Sequence, residues 1–147
     1  MIKKVVSLEF YEVIRLLNSK ILIVENERII ANDIKQRLED MGYDVIGISG
    51  TSEDTLKKTR ETHPDLILMD IIITGDVDGI ETAKQLKELY SIPFIYLTAY
   101  YDDEILERAS LTQPDGYITK PFNSVGLHTA IQMALYKKKK LKESTSF

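Results

Sequence analysis

Cysteine is absent from this 147-residue chain, which excludes a disulfide framework, a thiolate metal site and a thiol nucleophile. Any chemistry has to be done by oxygen and nitrogen. Long apolar runs are absent too: no stretch approaches the roughly 18 residues that cross a bilayer. Glu9, Glu12 and Arg15 interrupt the apolar residues near the start, so no signal-peptide core is read there. The expectation is a cytoplasmic protein with no membrane partner. Positive charge is scarce in the middle. Residues 1–20 carry four basic and two acidic side chains and 137–147 five and one, leaving ten basic and twenty acidic between them. A centre about ten units negative cannot displace counterions from a nucleic acid, so no nucleic-acid role is expected of it. The Lys137–Lys140 run is the one basic patch and reads as a solvated helix end.

What is present is an alternation of short apolar runs with amphipathic stretches. Ile21-Leu22-Ile23-Val24 is β-branched and unbroken, as a strand buried on both faces should be. Ile30, Ile34, Leu38 and Met41 then recur at helical spacing and Gly42 provides a stop. The same alternation continues. Val45–Ile48 reads as a strand, Ser52 as the cap of a weaker helix to about Glu61, and Asp65–Asp70 as a strongly apolar strand. Ile80, Ala83, Leu86 and Leu89 mark a helix, and Phe94–Thr98 a strand. Asp102–Ser110 reads as a helix, Gly116–Thr119 as a strand, and Val125 to about Lys140 as a last helix carrying Leu127, Ile131, Met133 and Leu135. Five βα units predict an α/β fold: a five-stranded parallel sheet, doubly wound, with helices on both faces. An extra N-terminal segment, 1–19, matches neither period cleanly and is expected to be a helical extension. Residues 20–137 form the domain and 138–147 a basic tail.

In such sheets ligands gather at the carboxyl ends of the strands. Glu25 and Asn26 follow strand one there, Asp70 strand three, Thr98 strand four and Lys120 strand five. Hard oxygen donors at Glu25, Asn26 and Asp70 suit Mg²⁺. A carboxylate such as Asp70 can act as a nucleophile toward phosphorus, with Lys120 and the metal facing the spread charge and Thr98 donating a hydrogen bond. Taken singly, each has a plainer role: Asn26 can cap the following helix, Asp70 a turn, Thr98 can be a strand residue and Lys120 a solvated one. His63 and His128 lack partners at metal-ligand spacing and are assigned to surface or packing.

Across about residues 20–137 the sequence resembles the receiver domains of two-component response regulators. The matching stretches are ILIVENE at 21–27, DLILMDIIITGDVDGIE at 65–81, FIYLTAY at 94–100 and GYITKPF at 116–122. The resemblance implies a flavodoxin-like strand order 2-1-3-4-5 and a phosphorylation switch rather than an enzyme. It makes Asp70 the phosphoacceptor, Glu25 and Asn26 the acidic-pair positions and the backbone carbonyl of Ile72 a metal ligand. Thr98 becomes the switch hydroxyl, Tyr117 the switch aromatic, Lys120 the phosphate-binding lysine and Lys120–Pro121 a cis peptide. A sensor histidine kinase is the implied donor. A downstream protein, or a second copy, is the implied partner of the face made by residues 100–136.

Asn26 departs from the pattern, because the family usually has an aspartate there. The lost charge should weaken Mg²⁺ binding, and a degenerate receiver that only scaffolds is the alternative. The 74–78 loop looks one residue longer than is common. Ile72 and Tyr100, at positions that tune hydrolysis in the family, are bulky, and slow autodephosphorylation is expected. An aspartate-nucleophile phosphatase would need a second Asp where Ile72 stands. A flavin carrier would need a phosphate loop where Glu25-Asn26-Glu27 would repel one. No output domain is recognised after residue 140, so the expected mode of action is docking, unless the chain is a piece of something longer.

Overall fold

The computed structural model describes residues 18–73, 78–99 and 102–145, with the side chains of 78 and 143–145 excepted. The proposed N-terminal helix and the longer 74–78 loop therefore lie outside the described residues, apart from the first helical residue at 78. Five strands, β1 (Lys20–Val24), β2 (Asp44–Ser49), β3 (Leu66–Met69), β4 (Phe94–Thr98) and β5 (Gly116–Thr119), form one parallel sheet in the order β2-β1-β3-β4-β5. The described helices are α1 (Arg28–Asp40), α2 (Ser52–Thr62), α3 (Asp78–Leu89), α4 (Asp103–Leu111) and α5 (Ser124–Thr145).

Side chains alternate across each strand, so one apolar run feeds two cores. Ile21 and Ile23 of β1, with Leu66 and Leu68 of β3, pack against Ile34 and Leu38 of α1 and Leu127 and Ile131 of α5. Leu22, Val24, Ile67 and Met69 face the other way, toward Ile80 and Leu86 of α3 and Ile105 of α4. Each such side chain, fully buried, contributes about 1.5–3 kcal/mol before entropy is counted. This two-sided burial explains the unbroken apolar runs.

The helix ends differ from the expected ones in instructive ways. Thr51, not Ser52, caps α2: its backbone is extended and its side chain accepts a hydrogen bond from the N–H of Asp54 at 3.1 Å. Ser52 is the first helical residue, and its hydroxyl pairs with Thr82 of α3. Asn26 is not a cap either, since α1 begins after Glu27 and that residue makes no side-chain cap bond. Gly42 takes φ 99° just past α1, as a helix stop requires. On α5, Met133 points outward and is 69% exposed, while Ala134 is buried in its place. Met133 lies two residues from Ile131, which is off the three- and four-residue rhythm of a helix face. Leu89, at the end of α3, is likewise exposed. The Lys137–Lys140 run lies within α5.

His63 closes α2 in a left-handed conformation (φ 49°). His128 is a packing residue: Tyr43 Oη lies 3.0 Å from its Nδ1, and Gln132 donates to the same hydroxyl oxygen at 2.7 Å.

Candidate functional site

The strands end in register, which brings the chemistry together. Val24 pairs with Met69 across β1 and β3, so the next residues, Glu25 and Asp70, leave the sheet side by side. The ladder runs past the strand ends: Glu25 N–H donates to Ser49 O at 2.8 Å, and Asp70 N–H to Val24 O at 3.0 Å. Thr98 pairs with Thr119, and Lys120 N–H donates to Thr98 O at 2.9 Å. Backbone bonds thus fix both acids and the lysine before any side chain is placed.

Lys120 then bridges the acids. Its ammonium donates to Glu25 Oε1 at 2.6 Å and to Asp70 Oδ2 at 3.0 Å. Asp70 Oδ1 accepts from the N–H of Ile72 at 3.1 Å, and Glu25 Oε2 has a long contact of 3.4 Å with the N–H of Glu27. Both acids are buried and Lys120 is half-buried. Burial raises the Glu25 pKa above its usual 4.5, and although the Lys120 bond pulls it down, the Asp70 charge adds to the rise. For Lys120 burial alone lowers the pKa, but the bond to Glu25 and the charge of Asp70 outweigh it and the net shift is upward. One cation therefore serves two carboxylates that would otherwise repel each other.

Thr98 is buried at the end of β4 and Tyr117 is half-buried on β5, its ring edge-on to Tyr96 at 6.0 Å. Burial, and then the charge of Asp70, raise the Tyr117 pKa. The Lys120–Pro121 peptide is cis. Ile72 is half-buried beside Asp70 and Asn26 is exposed at the rim, while Tyr100 lies outside the described residues.

Two glycines complete the site, and neither was singled out from the sequence. A Cβ on Gly79 would lie 2.2 Å from the carbonyl oxygen of Asp70 and 2.7 Å from Ile71 Cα, so α3 starts directly on the segment that carries Asp70. Gly79 N–H also donates to Ile71 O at 2.9 Å. Gly50 lets the β2–α2 turn approach Asn26, whose Cα would be 3.2 Å from an added Cβ. The Asp78-Gly79 pair was the available signal.

The chemistry of the groups at this rim suits a hard divalent cation: the Glu25 and Asp70 carboxylates, the Asn26 amide and the Ile72 carbonyl would all offer oxygen. Among the described residues no three or more of His, Cys, Asp and Glu converge on one point. A cation here would meet two carboxylates.

Comparison with known proteins agrees with this geometry. The family model of the response regulator receiver domain matches residues 21–132. The transcriptional regulatory protein PdtaR of Mycobacterium tuberculosis is 30% identical over 116 residues, covering 79% of this chain and 56% of that protein. The alkaline phosphatase synthesis transcriptional regulatory protein PhoP of Bacillus subtilis is 37% identical over 121 residues, covering 81% and 49%. The chain thus spans about half the length of these curated relatives. Among solved structures, the signal receiver domain of a modulated diguanylate cyclase from Desulfovibrio desulfuricans G20 superposes with a TM-score of 0.78 at 38% identity, covering 83% of this chain and 97% of that one.

Proposed function

The chain belongs to the response regulator receiver family, a family of signalling domains rather than classical enzymes, and from that premise we propose that it is a phosphorylation-dependent switch with Asp70 as phosphoacceptor. The observation that carries this reading is the Lys120 ammonium held between Glu25 and Asp70 at 2.6 and 3.0 Å. It places a fixed positive charge beside the nucleophile, where a phosphoryl group would gather negative charge.

In the proposed step an Asp70 carboxylate oxygen attacks phosphorus. The bond from phosphorus to a donor imidazole nitrogen of a sensor histidine kinase breaks, and its electron pair leaves with the imidazole. Lys120 faces the transferred oxygens, and the Thr98 hydroxyl donates to one of them. Glu25, Asn26, Asp70 and the Ile72 carbonyl would hold Mg²⁺, which supplies positive charge against the phosphoryl oxygens when bound. Its affinity is weak, because Asn26 brings no charge.

Phosphorylation draws Thr98 toward the phosphate and lets Tyr117 turn inward, altering the face of residues 100–136 that a downstream protein or a second copy reads. Ile72 and Tyr100 are both poor at orienting water, and the phosphorylated form decays slowly. A lifetime of seconds would sink that part of the reading. No described helix is long and apolar enough to cross a membrane, and the proposed place of action is the cytoplasm.

The second reading, a degenerate receiver that docks without phosphorylation, is favoured by one observation: among the described residues no third acid, histidine or cysteine joins Glu25 and Asp70 at the rim. Intact-mass measurement with Mg²⁺ and acetyl phosphate separates the two. Gain of one phosphoryl group, lost in Asp70→Asn, is the expected result. No gain in the native chain together with gain in Asn26→Asp selects the degenerate receiver.

A further inference from the structure

Helix α4 is thinly attached to the sheet. Of its nine residues only Ile105 and Ala109 are buried, and few buried apolar contacts make for low local stability. Its two ends are held unequally. At the amino-terminal end, which follows β4 and Thr98, the Asp102 carboxylate accepts the N–H groups of Glu104 at 2.9 Å and Ile105 at 3.3 Å. Those bonds stay within the helix's own first turn. Asp102, Asp103 and Glu104 are exposed, and among the described residues no side chain of another element bonds to them.

The carboxyl-terminal end is fixed from two sides. From the sheet comes Tyr96 of β4, fully buried, with its Oη 2.7 Å from Thr112 Oγ1. The Thr112 hydroxyl gives its single hydrogen to Ala109 O at 2.6 Å, a carbonyl that can only accept, so Tyr96 is the donor to Thr112. Burial, opposed by the Thr112 bond and helped by Tyr117, pushes the Tyr96 phenol up to about 12, and the donated proton stays in place at neutral pH. From α3 comes Lys87, which spends its three ammonium hydrogens on the same turn: Thr112 O at 2.9 Å, Gln113 O at 3.0 Å and Gln113 Oε1 at 3.2 Å. Its charge faces the carbonyls that end a helix. Gln113 takes φ 53° there, a left-handed conformation that a non-glycine residue keeps only where its surroundings hold it. The Tyr96 ring is also edge-on to Phe94 at 5.4 Å and to Tyr117 at 6.0 Å, so the anchoring side chain is the packing neighbour of the proposed switch aromatic.

We propose that α4 is hinged at its carboxyl-terminal turn: Tyr96, Thr112 and Lys87 hold that turn still, and the amino-terminal turn with Asp102, Asp103 and Glu104 swings. The hinge belongs to the resting fold. Its use as the readout of Asp70 rests on the function proposed above, with Tyr117 turning against a fixed Tyr96 ring, and a partner then reads the position of one acidic helix end rather than of the whole helix.

Amide hydrogen exchange in the full chain, followed residue by residue by NMR and corrected for intrinsic rates, tests the hinge. The N–H groups of Thr112 and Gln113, bonded to Ala109 O and Ser110 O, should exchange roughly fivefold more slowly than that of Leu106, bonded to Asp102 O. Tyr96→Phe and Lys87→Met should each remove most of that difference. Lys84→Met, an exposed lysine on the same α3, should leave it, and the Thr55 N–H in α2 should keep its rate in every variant. Equal rates at the two ends of α4 in the native chain, or a difference that survives both Tyr96→Phe and Lys87→Met, would overturn the hinge. Mg²⁺ and acetyl phosphate are then added, with phosphoryl gain read by intact mass. Amide resonances of 103–105 should shift and those of 112 and 113 stay; shifts of equal size at both ends would overturn the hinge as well. No gain of mass would strike the Asp70 reading alone, the exchange result having already decided the hinge.

Discussion

Carboxylates at the two poles of the sheet do opposite kinds of work. At the amino pole Asp65 accepts the N–H of Lys20 at 2.8 Å and Asp115 that of Phe94 at 3.1 Å. Each anchors the start of a strand with a neutral donor, and neither shares its partner with another acid. At the carboxyl pole Glu25 and Asp70 share the ammonium of Lys120. A change at one acid there is felt by the other through their common cation. The same residue type is a local staple at one end and one arm of a coupled charge system at the other. Coupling, rather than burial or charge alone, separates the pole that holds the proposed phosphoacceptor from the structural one.

The sharpest way to break this comparison is to remove the shared cation. Lys120→Met leaves two buried carboxylates facing each other and should cost about 4 kcal/mol in urea unfolding at neutral pH. Asp115→Asn, which keeps an oxygen acceptor, should cost no more than about 1 kcal/mol. Equal losses would show that the poles do not differ in kind. The backbone offers a second contrast. Gly79→Ala pushes a Cβ into the Asp70 carbonyl and should destabilise by about 3 kcal/mol. At the amino pole, Gly116→Ala meets only Ile95 side-chain atoms at 3.4 Å, and its unfolding midpoint should move little.

Asn26→Asp probes the coupling with added charge. A third anionic ligand should raise Mg²⁺ affinity about tenfold, or ~1.4 kcal/mol, as titration calorimetry would detect. A smaller effect is expected with pH. Burial, helped by the charge of Asp70 and opposed by the Lys120 bond, lifts the Glu25 pKa above 4.5. The fold therefore holds that proton more tightly than the unfolded chain does. The Glu25 charge counts against the fold above the raised value, and this cost is withdrawn as pH falls through it toward 4.5. Across that window the native chain should gain stability relative to Glu25→Gln as pH falls. A constant or shrinking difference in urea midpoints would remove Glu25 from the coupled system.

Strands were legible because two-sided burial leaves a mark in one dimension: Ile21–Val24 and Leu66–Met69 can be little else. The five strand-end residues were legible for the same reason, since topology alone places Glu25, Asn26, Asp70, Thr98 and Lys120 on one rim. Local choices between neighbours were less visible. Thr51 and Ser52 are both good caps, and backbone conformation decided between them. Leu89 and Met133 look like core residues by type, but only the rotation of the completed helix shows that they face out. Contacts between distant residues left no mark at all. Tyr43 meets His128 and Gln132 across more than eighty positions. Nothing in a single sequence pairs such positions.

Helix α5 begins four residues after Lys120, and its later turns lie beside the α3–β4 connection at the far pole of the sheet. Its 22 residues make a rod about 33 Å long at 1.5 Å per residue. Pivoted at Ser124, a tilt of about 5° would carry its far end through about 3 Å on such a rod. The helix is thus a lever with its short arm at the charged rim, and displacements too small to disturb the strand ladder there would be magnified at the other end.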